Sequence, residues 1–224
     1  MPFGHLLQFF SARFLKARVA RTRETGHEDR QVIRFFDSSL RLYPASSPAV
    51  VGWSTSDTQS LRFQVLTQIA DMNECSILDV GCGVGDLFGF VKAHFNQVEY
   101  VGVDLHPSMI AHAVRKYPEG TFLHQSLDQV TERADYVLVS GAFNIRVADN
   151  EHYLQRVIRQ SFSHAKKGVA FNLLSRYAPY DLVCPGLYYY DPGTVFSYCK
   201  KLANRVTLRH DYLSNDFSIY LYRD

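Results

Sequence analysis

The chain has 224 residues, 46% of them hydrophobic, with 24 Lys and Arg against 22 Asp and Glu for a formal charge of +2. That length and apolar content suit one α/β domain with a continuous core and exclude a second full domain; the near balance of charge excludes a whole-molecule field that draws in nucleic acid or anionic membrane. Cys75, Cys82, Cys184 and Cys199 form no C-x-x-C pair, which argues against a metal site and a disulfide framework and for a reducing, cytoplasmic compartment.

No apolar run approaches the roughly 20 residues of a bilayer span, and no cleavable leader is recognisable, so a soluble protein without a membrane span is expected. Residues 1–23 set Arg13, Lys16, Arg18, Arg21 and Arg23 among Leu6, Leu7, Phe9, Phe10, Phe14, Leu15 and Val19, without an acid. This is the pattern of a basic amphipathic helix. It packs its Phe and Leu face on the domain, or it serves as a targeting or membrane-surface helix.

Helical patterning continues from Glu24 to Asn73 and breaks at Tyr43-Pro44-Ala45-Ser46-Ser47-Pro48, where proline forbids regular backbone. A helix is predicted from Asp57 as N-cap through Leu61, Val65, Leu66 and Ile69. Residues 1–73 are read as a helical cap or lid, and residues 74–224 as the core, with a substrate-covering insertion near 175–195.

From Ser76 the texture becomes strand, turn, helix. Strands are predicted at 76–80, 99–103, 121–123, 134–139 and 168–173, with helices between them, including Asn150 to Ala165. Strands alternating with helices imply a mostly parallel sheet covered on both faces. The last two strands, 205–210 and 217–222, are separated by too short a segment for a crossover and form an antiparallel hairpin. The fold class is therefore α/β, Rossmann-like, with a mostly parallel seven-stranded sheet.

Asp79-Val80-Gly81-Cys82-Gly83-Val84-Gly85 joins the first strand to its helix. Glycines there let the backbone turn sharply and approach a ligand with no Cβ in the way. A dinucleotide fingerprint would need glycine at position 86, where this sequence has Asp86, which disfavours an NAD-dependent dehydrogenase. Asp104 closes the second strand about 20 residues on, where a carboxylate can accept both hydroxyls of a ribose.

The run from Ile77 to Asp86, continued by Val101-Gly102-Val103-Asp104-Leu105-His106-Pro107-Ser108-Met109, resembles the nucleotide-binding motif of class I S-adenosylmethionine (SAM)-dependent methyltransferases. The resemblance covers about residues 61–174 and extends to the terminal hairpin. It implies SAM as cofactor and S-adenosylhomocysteine (SAH) as product, with Asp79, Gly81, Cys82, Gly83 and Gly85 forming the cofactor turn. Asp104 would take the ribose hydroxyls, and Leu105 and Met109 would flank the adenine. Many family members set an acidic residue against the adenine amino group after the third strand; here the contact stays open among Gln125, Ser126 and the amide of Leu127. Ser140 and Phe143 would lie beside the methionine part.

Gly141-Ala142-Phe143-Asn144 stands where amino-directed methyltransferases carry Asn-Pro-Pro-Tyr, which weakens that reading. Arg62 either reaches the carboxylate of SAM or sits on the surface. His106, His124 and His210 are candidate bases and equally candidate caps or surface groups. Tyr43, Trp53, Asn144, Tyr177, Tyr180 and Tyr189 are the candidate acceptor-contacting residues, although tyrosines after the fifth strand could equally pack on themselves to shield the sheet end.

The expected function is methyl transfer to an O, N or S nucleophile of a small molecule, achieved mainly by proximity and in-line orientation. The alternatives are an RNA or protein methyltransferase using the basic N-terminal helix, and a non-catalytic SAM-binding subunit. Sequence leaves the oligomeric state open.

Overall fold

The computed structural model describes residues 26–44 and 55–224. β1 (Ser76–Val80) is buried at every residue, as a strand covered on both faces must be. β2 (Glu99–Asp104) and β4 (Ala134–Val139) pair with it in parallel on either side. β3 (Thr121–His124) lies beyond β2 and β5 (Ala165–Leu174) beyond β4, also parallel.

β7 (Asp216–Tyr222) then runs antiparallel between β5 and β6 (Arg205–Leu213), giving the order β3-β2-β1-β4-β5-β7-β6. The order reverses between β1 and β4. At such a switch point neighbouring crossovers leave on opposite faces, opening a crevice at the carboxyl ends of the strands.

Helices cover both faces. Leu78, Val80, Val137, Val139 and Phe171 pack with Leu154, Val157 and Ile158 of α5 (Asn150–His164) and Val195 and Cys199 of α6 (Pro192–Cys199). Ile77, Tyr100, Leu138 and Ala170 pack with α2 (Ser56–Thr67), α3 (Asp86–His94) and α4 (Pro107–Lys116). Phe63, Val65, Leu66, Ile69 and Met72 are thus core residues, so residues 56–72 belong to the packed domain instead of a separate cap ending at 73. The N-cap of α2 is Thr55, whose hydroxyl accepts from the Thr58 amide, displacing the expected Asp57 cap.

α1 (His27–Leu42) spans the crevice. Phe36 and Leu40 pack on Val84 and Met109. Asp29 pairs with Arg156 of α5 at 2.7 Å, and Asp37 approaches Nε2 of His106 at 3.2 Å.

The hairpin is tighter than expected, with β6 continuing to Leu213 and β7 starting at Asp216. α6 escaped the sequence reading, although Asp191 accepts from the Thr194 amide and Pro192 occupies the first helical turn, both helix-start signals. No helix among the described residues is long and apolar enough to cross a membrane. The basic segment 1–23 and Trp53 lie outside the described residues.

Candidate functional site

The β1–α3 turn holds Gly81, Gly83 and Gly85 at φ of +75°, +54° and +82°, which side chains disfavour. Gly81 also passes so close to the β4 loop that a Cβ there would stand 2.9 Å from Cβ of Ala142. The turn is tied to β2, because the amides of Gly81 and Cys82 both donate to the Val103 carbonyl, at 2.9 and 3.1 Å.

Asp104 completes the joint. Its Oδ2 accepts from the Gly83 amide at 2.9 Å and its Oδ1 from the His106 amide at 2.8 Å. Each oxygen keeps lone-pair capacity, so the carboxylate is oriented by backbone and still able to accept from a vicinal diol. Burial pushes its pKa up, and the two amides oppose that rise. Nδ1 of His106 accepts from the amides of Ser108 and Met109 at the start of α4, which leaves the ring proton on Nε2, facing Asp37.

Asp79 lies deeper, 2% exposed, and accepts from the Tyr100 hydroxyl. Burial pushes its carboxyl up to about 7; the Tyr100 bond pulls down, and Asp104 and Asp86 push up again.

These groups line a cleft of about 1040 Å³, its open mouth included. Asp79, Gly81, Cys82, Gly83, Asp104, Leu105, Met109, Gln125, Ser126, Leu127 and Ser140 all border it. Two features fit the expected cofactor. Ser140 Oγ is buried with no hydrogen-bond partner among the described residues, a polar atom that a ligand in the cleft would satisfy, and Gly81 and Gly83 bring bare backbone to the cleft wall.

Other expected contacts fall elsewhere. Gly85 does not border the cleft; its open face is taken by Phe122 and Tyr117, and its amide closes the turn on the Cys82 carbonyl. Phe143 is 1% exposed and points into the core against Tyr153 and Phe171, leaving Gly141 and Ala142 to border the cleft. Arg62 is 4% exposed, with Nε on Asp216 at 2.8 Å, so its guanidinium is committed to β7 instead of a cofactor carboxylate. Asp216 also receives Asn172, whose Oδ1 holds the Gly141 amide at 3.0 Å; Arg62 supports the cleft wall from behind.

The acceptor-side residues scatter. Asn144 is buried and accepts from the Leu174 amide at 3.0 Å, a structural cap on β5. Tyr189 accepts from the Cys184 amide and donates to the Leu182 carbonyl, closing its own loop. Tyr43, Tyr177 and Tyr180 are exposed, and none borders the cleft.

The histidines also have other duties. His124 Nε2 contacts the Leu105 carbonyl at 3.1 Å, and the His210 ring lies between Tyr177 and Phe217. Conversely, the cleft is bordered by residues that sequence reasoning passed over: Asp29, Val32 and Phe36 of α1, Gln59 and Phe63 of α2, and Tyr153, Arg156, Val157 and Gln160 of α5. The i, i+3/i+4 spacing of 29, 32 and 36 marks one helix face, a usable signal, but nothing local says what it faces.

Residues 77–168 match the family model described as a methyltransferase domain. A Mycobacterium tuberculosis protein provisionally named a methyltransferase, Rv1506c, is 30% identical over 152 residues, covering 64% of this chain and 90% of that protein. The demethylmenaquinone methyltransferase of Chlorobaculum tepidum is 28% identical over 149 residues, 66% of this chain, which spans 60% of that enzyme's length. In fold, the chain is similar to the magnesium protoporphyrin IX methyltransferase from Synechocystis PCC 6803 with bound SAM, with a TM-score of 0.62 and 17% identity over 91% of this chain and 100% of the other.

Proposed function

Because the chain belongs to the class I SAM-dependent methyltransferases, we propose that it methylates an O, N or S nucleophile of a small, uncharged molecule. The charge of the cleft carries this reading. Of the carboxylates that border it, Asp29 and Asp86 are ion-paired with Arg156 and Lys116, while Asp104, joined by Asp79 where that carboxyl ionises, has no cationic partner among the described residues and leaves the lining net negative. A phosphate-rich acceptor would be repelled there, and sequence-independent nucleic-acid affinity comes from the opposite sign of charge. Two of the similar proteins are named for small acceptors, demethylmenaquinone and magnesium protoporphyrin IX. The RNA or protein alternative draws on residues 1–23, outside the described region.

On this reading Asp104 accepts the ribose hydroxyls, Gly81 and Gly83 bring backbone to the amino-acid end, and Leu105 and Met109 flank the adenine. Gln125, Ser126 and the Leu127 amide edge the base, Ser140 adjoins the methionine part, and α1 acts as a lid through Asp29, Val32 and Phe36. The bound cofactor supplies an electrophilic methyl on a sulfonium. The chain's own task is to exclude water and hold the acceptor in line, worth about 7–11 kcal/mol when alignment is good. No histidine among the described residues borders the cleft, so proximity dominates over general-base help.

The test is to incubate the protein with methyl-labelled SAM and separate small-molecule, RNA and protein fractions. Label in the small-molecule fraction supports the proposal; label confined to RNA or protein refutes it.

A further inference from the structure

Asp86, which sets this turn apart from a dinucleotide fingerprint, follows Gly85 at the start of α3 and lies between two partners. Its Oδ1 is ion-paired with Lys116 of α4, and its Oδ2 accepts from Nε2 of Gln59 at 3.0 Å. A carboxylate can only accept, so the Gln59 amide is fixed with nitrogen toward Asp86 and oxygen away from it. Gln59 is 7% exposed and borders the cleft, and its Oε1 accepts no hydrogen bond from the described residues. The protein thus presents an oriented amide oxygen, backed by an anchored carboxylate, on the side of the cleft where the glycine turn meets α3.

We propose that Gln59 Oε1 accepts a hydrogen bond from the α-ammonium of the cofactor, with Asp86 as the positioning residue that sets the amide's orientation. The inference rests on SAM being the ligand of this cleft. Of the cofactor's groups at the amino-acid end, the ammonium is the hydrogen-bond donor, whereas its carboxylate would be repelled by an amide oxygen. Arg62, the residue of α2 with the obvious charge, is turned one helical step away onto Asp216. The same helix therefore supplies Gln59 and Phe63 to the cleft and Arg62 to the core.

The experiment is calorimetric titration of SAH and of its desamino analogue, in which hydrogen replaces the α-amino group, into wild type, Gln59→Met and Asp86→Ala. Gln59→Met is expected to weaken SAH by roughly tenfold, as for loss of a hydrogen bond to a charged group, and to leave the desamino analogue unchanged. Asp86→Ala, which frees the amide to rotate, is expected to show the same selective loss to a smaller degree. Retained binding of the analogue reports an intact fold. Equal weakening of both ligands in Gln59→Met, or of neither, overturns the assignment. Failure of wild type to bind SAH would instead overturn the cofactor reading beneath it.

Discussion

The amide of Gly83 donates to Oδ2 of Asp104 across 2.9 Å, so residues 21 apart in sequence form a single hydrogen-bonded joint. The glycine turn and the acidic strand end are therefore one site. Asp104→Ala is expected to weaken SAM binding by at least tenfold, about 1.4 kcal/mol. Asp104→Asn should be little better, because its Nδ2 would face a backbone N–H, of Gly83 or His106, where an acceptor is needed. Titration calorimetry checks both; an unchanged dissociation constant for Asp104→Ala would remove the residue from the site.

Gly81→Ala should combine a left-handed backbone penalty of about 1–2 kcal/mol with a clash against Ala142. Denaturant unfolding and SAH titration should both show a loss. A variant that binds SAH normally would mean that the β4 loop gives way freely.

The Arg62–Asp216 pair is buried at both ends. Arg62→Ala leaves the Asp216 carboxyl uncompensated and is expected to cost about 3–5 kcal/mol in chemical denaturation, with Arg62→Met/Asp216→Asn recovering part of it. If Arg62→Ala instead keeps full stability and loses only cofactor affinity, the guanidinium serves the ligand and the structural assignment fails.

Asp79 should make stability pH-dependent. Its folded pKa, raised by burial to about 7 from an ordinary 3.8, means that the folded protein holds this proton more tightly than the unfolded chain. That contribution is fully present below about pH 4 and is lost as pH rises to 7. Asp79→Asn cannot lose it, so the melting temperature of the variant relative to wild type should rise between pH 5 and pH 8; a difference independent of pH would contradict the buried, ionising carboxyl.

Phe143→Ala, at a core position, should cost about 3–5 kcal/mol of stability, whereas Tyr180→Ala, at a side chain 94% exposed, should change stability by less than about 0.5 kcal/mol. Comparable losses in thermal unfolding would show that the segment after β5 packs more tightly than its exposure indicates.

Which residues could be read in advance follows from the range of the forces that place them. The β1 turn and Asp104 were legible because strand, glycine spacing and strand end are local features, and their meeting is dictated by parallel pairing of β1 with β2. Seven strands and the closing hairpin were legible for the same reason. Arg62 was not: its partner lies 154 residues downstream, and nothing near position 62 tells a buried arginine from a ligand-facing one. Phe143 failed by phase, since beyond the end of β4 the alternation that assigns faces no longer applies, and Ala142 faces the cleft instead. The cleft's far wall, from α1 and α5, is assembled by the Asp29–Arg156 contact across 127 residues, beyond any sequence pattern. Asn144 and Tyr189 show the opposite ambiguity: the polar groups that suggested an acceptor site satisfy backbone instead, Asn144 the Leu174 amide and Tyr189 the Cys184 amide and Leu182 carbonyl.

Isothermal titration with SAM and, separately, with NAD tests the central claim most directly, because the glycine turn and Asp104 suit either ribose-bearing ligand and Asp86 is the residue that departs from the dinucleotide fingerprint. SAM should bind stoichiometrically and NAD should give no saturable heat. Saturable NAD binding without SAM binding would contradict the account.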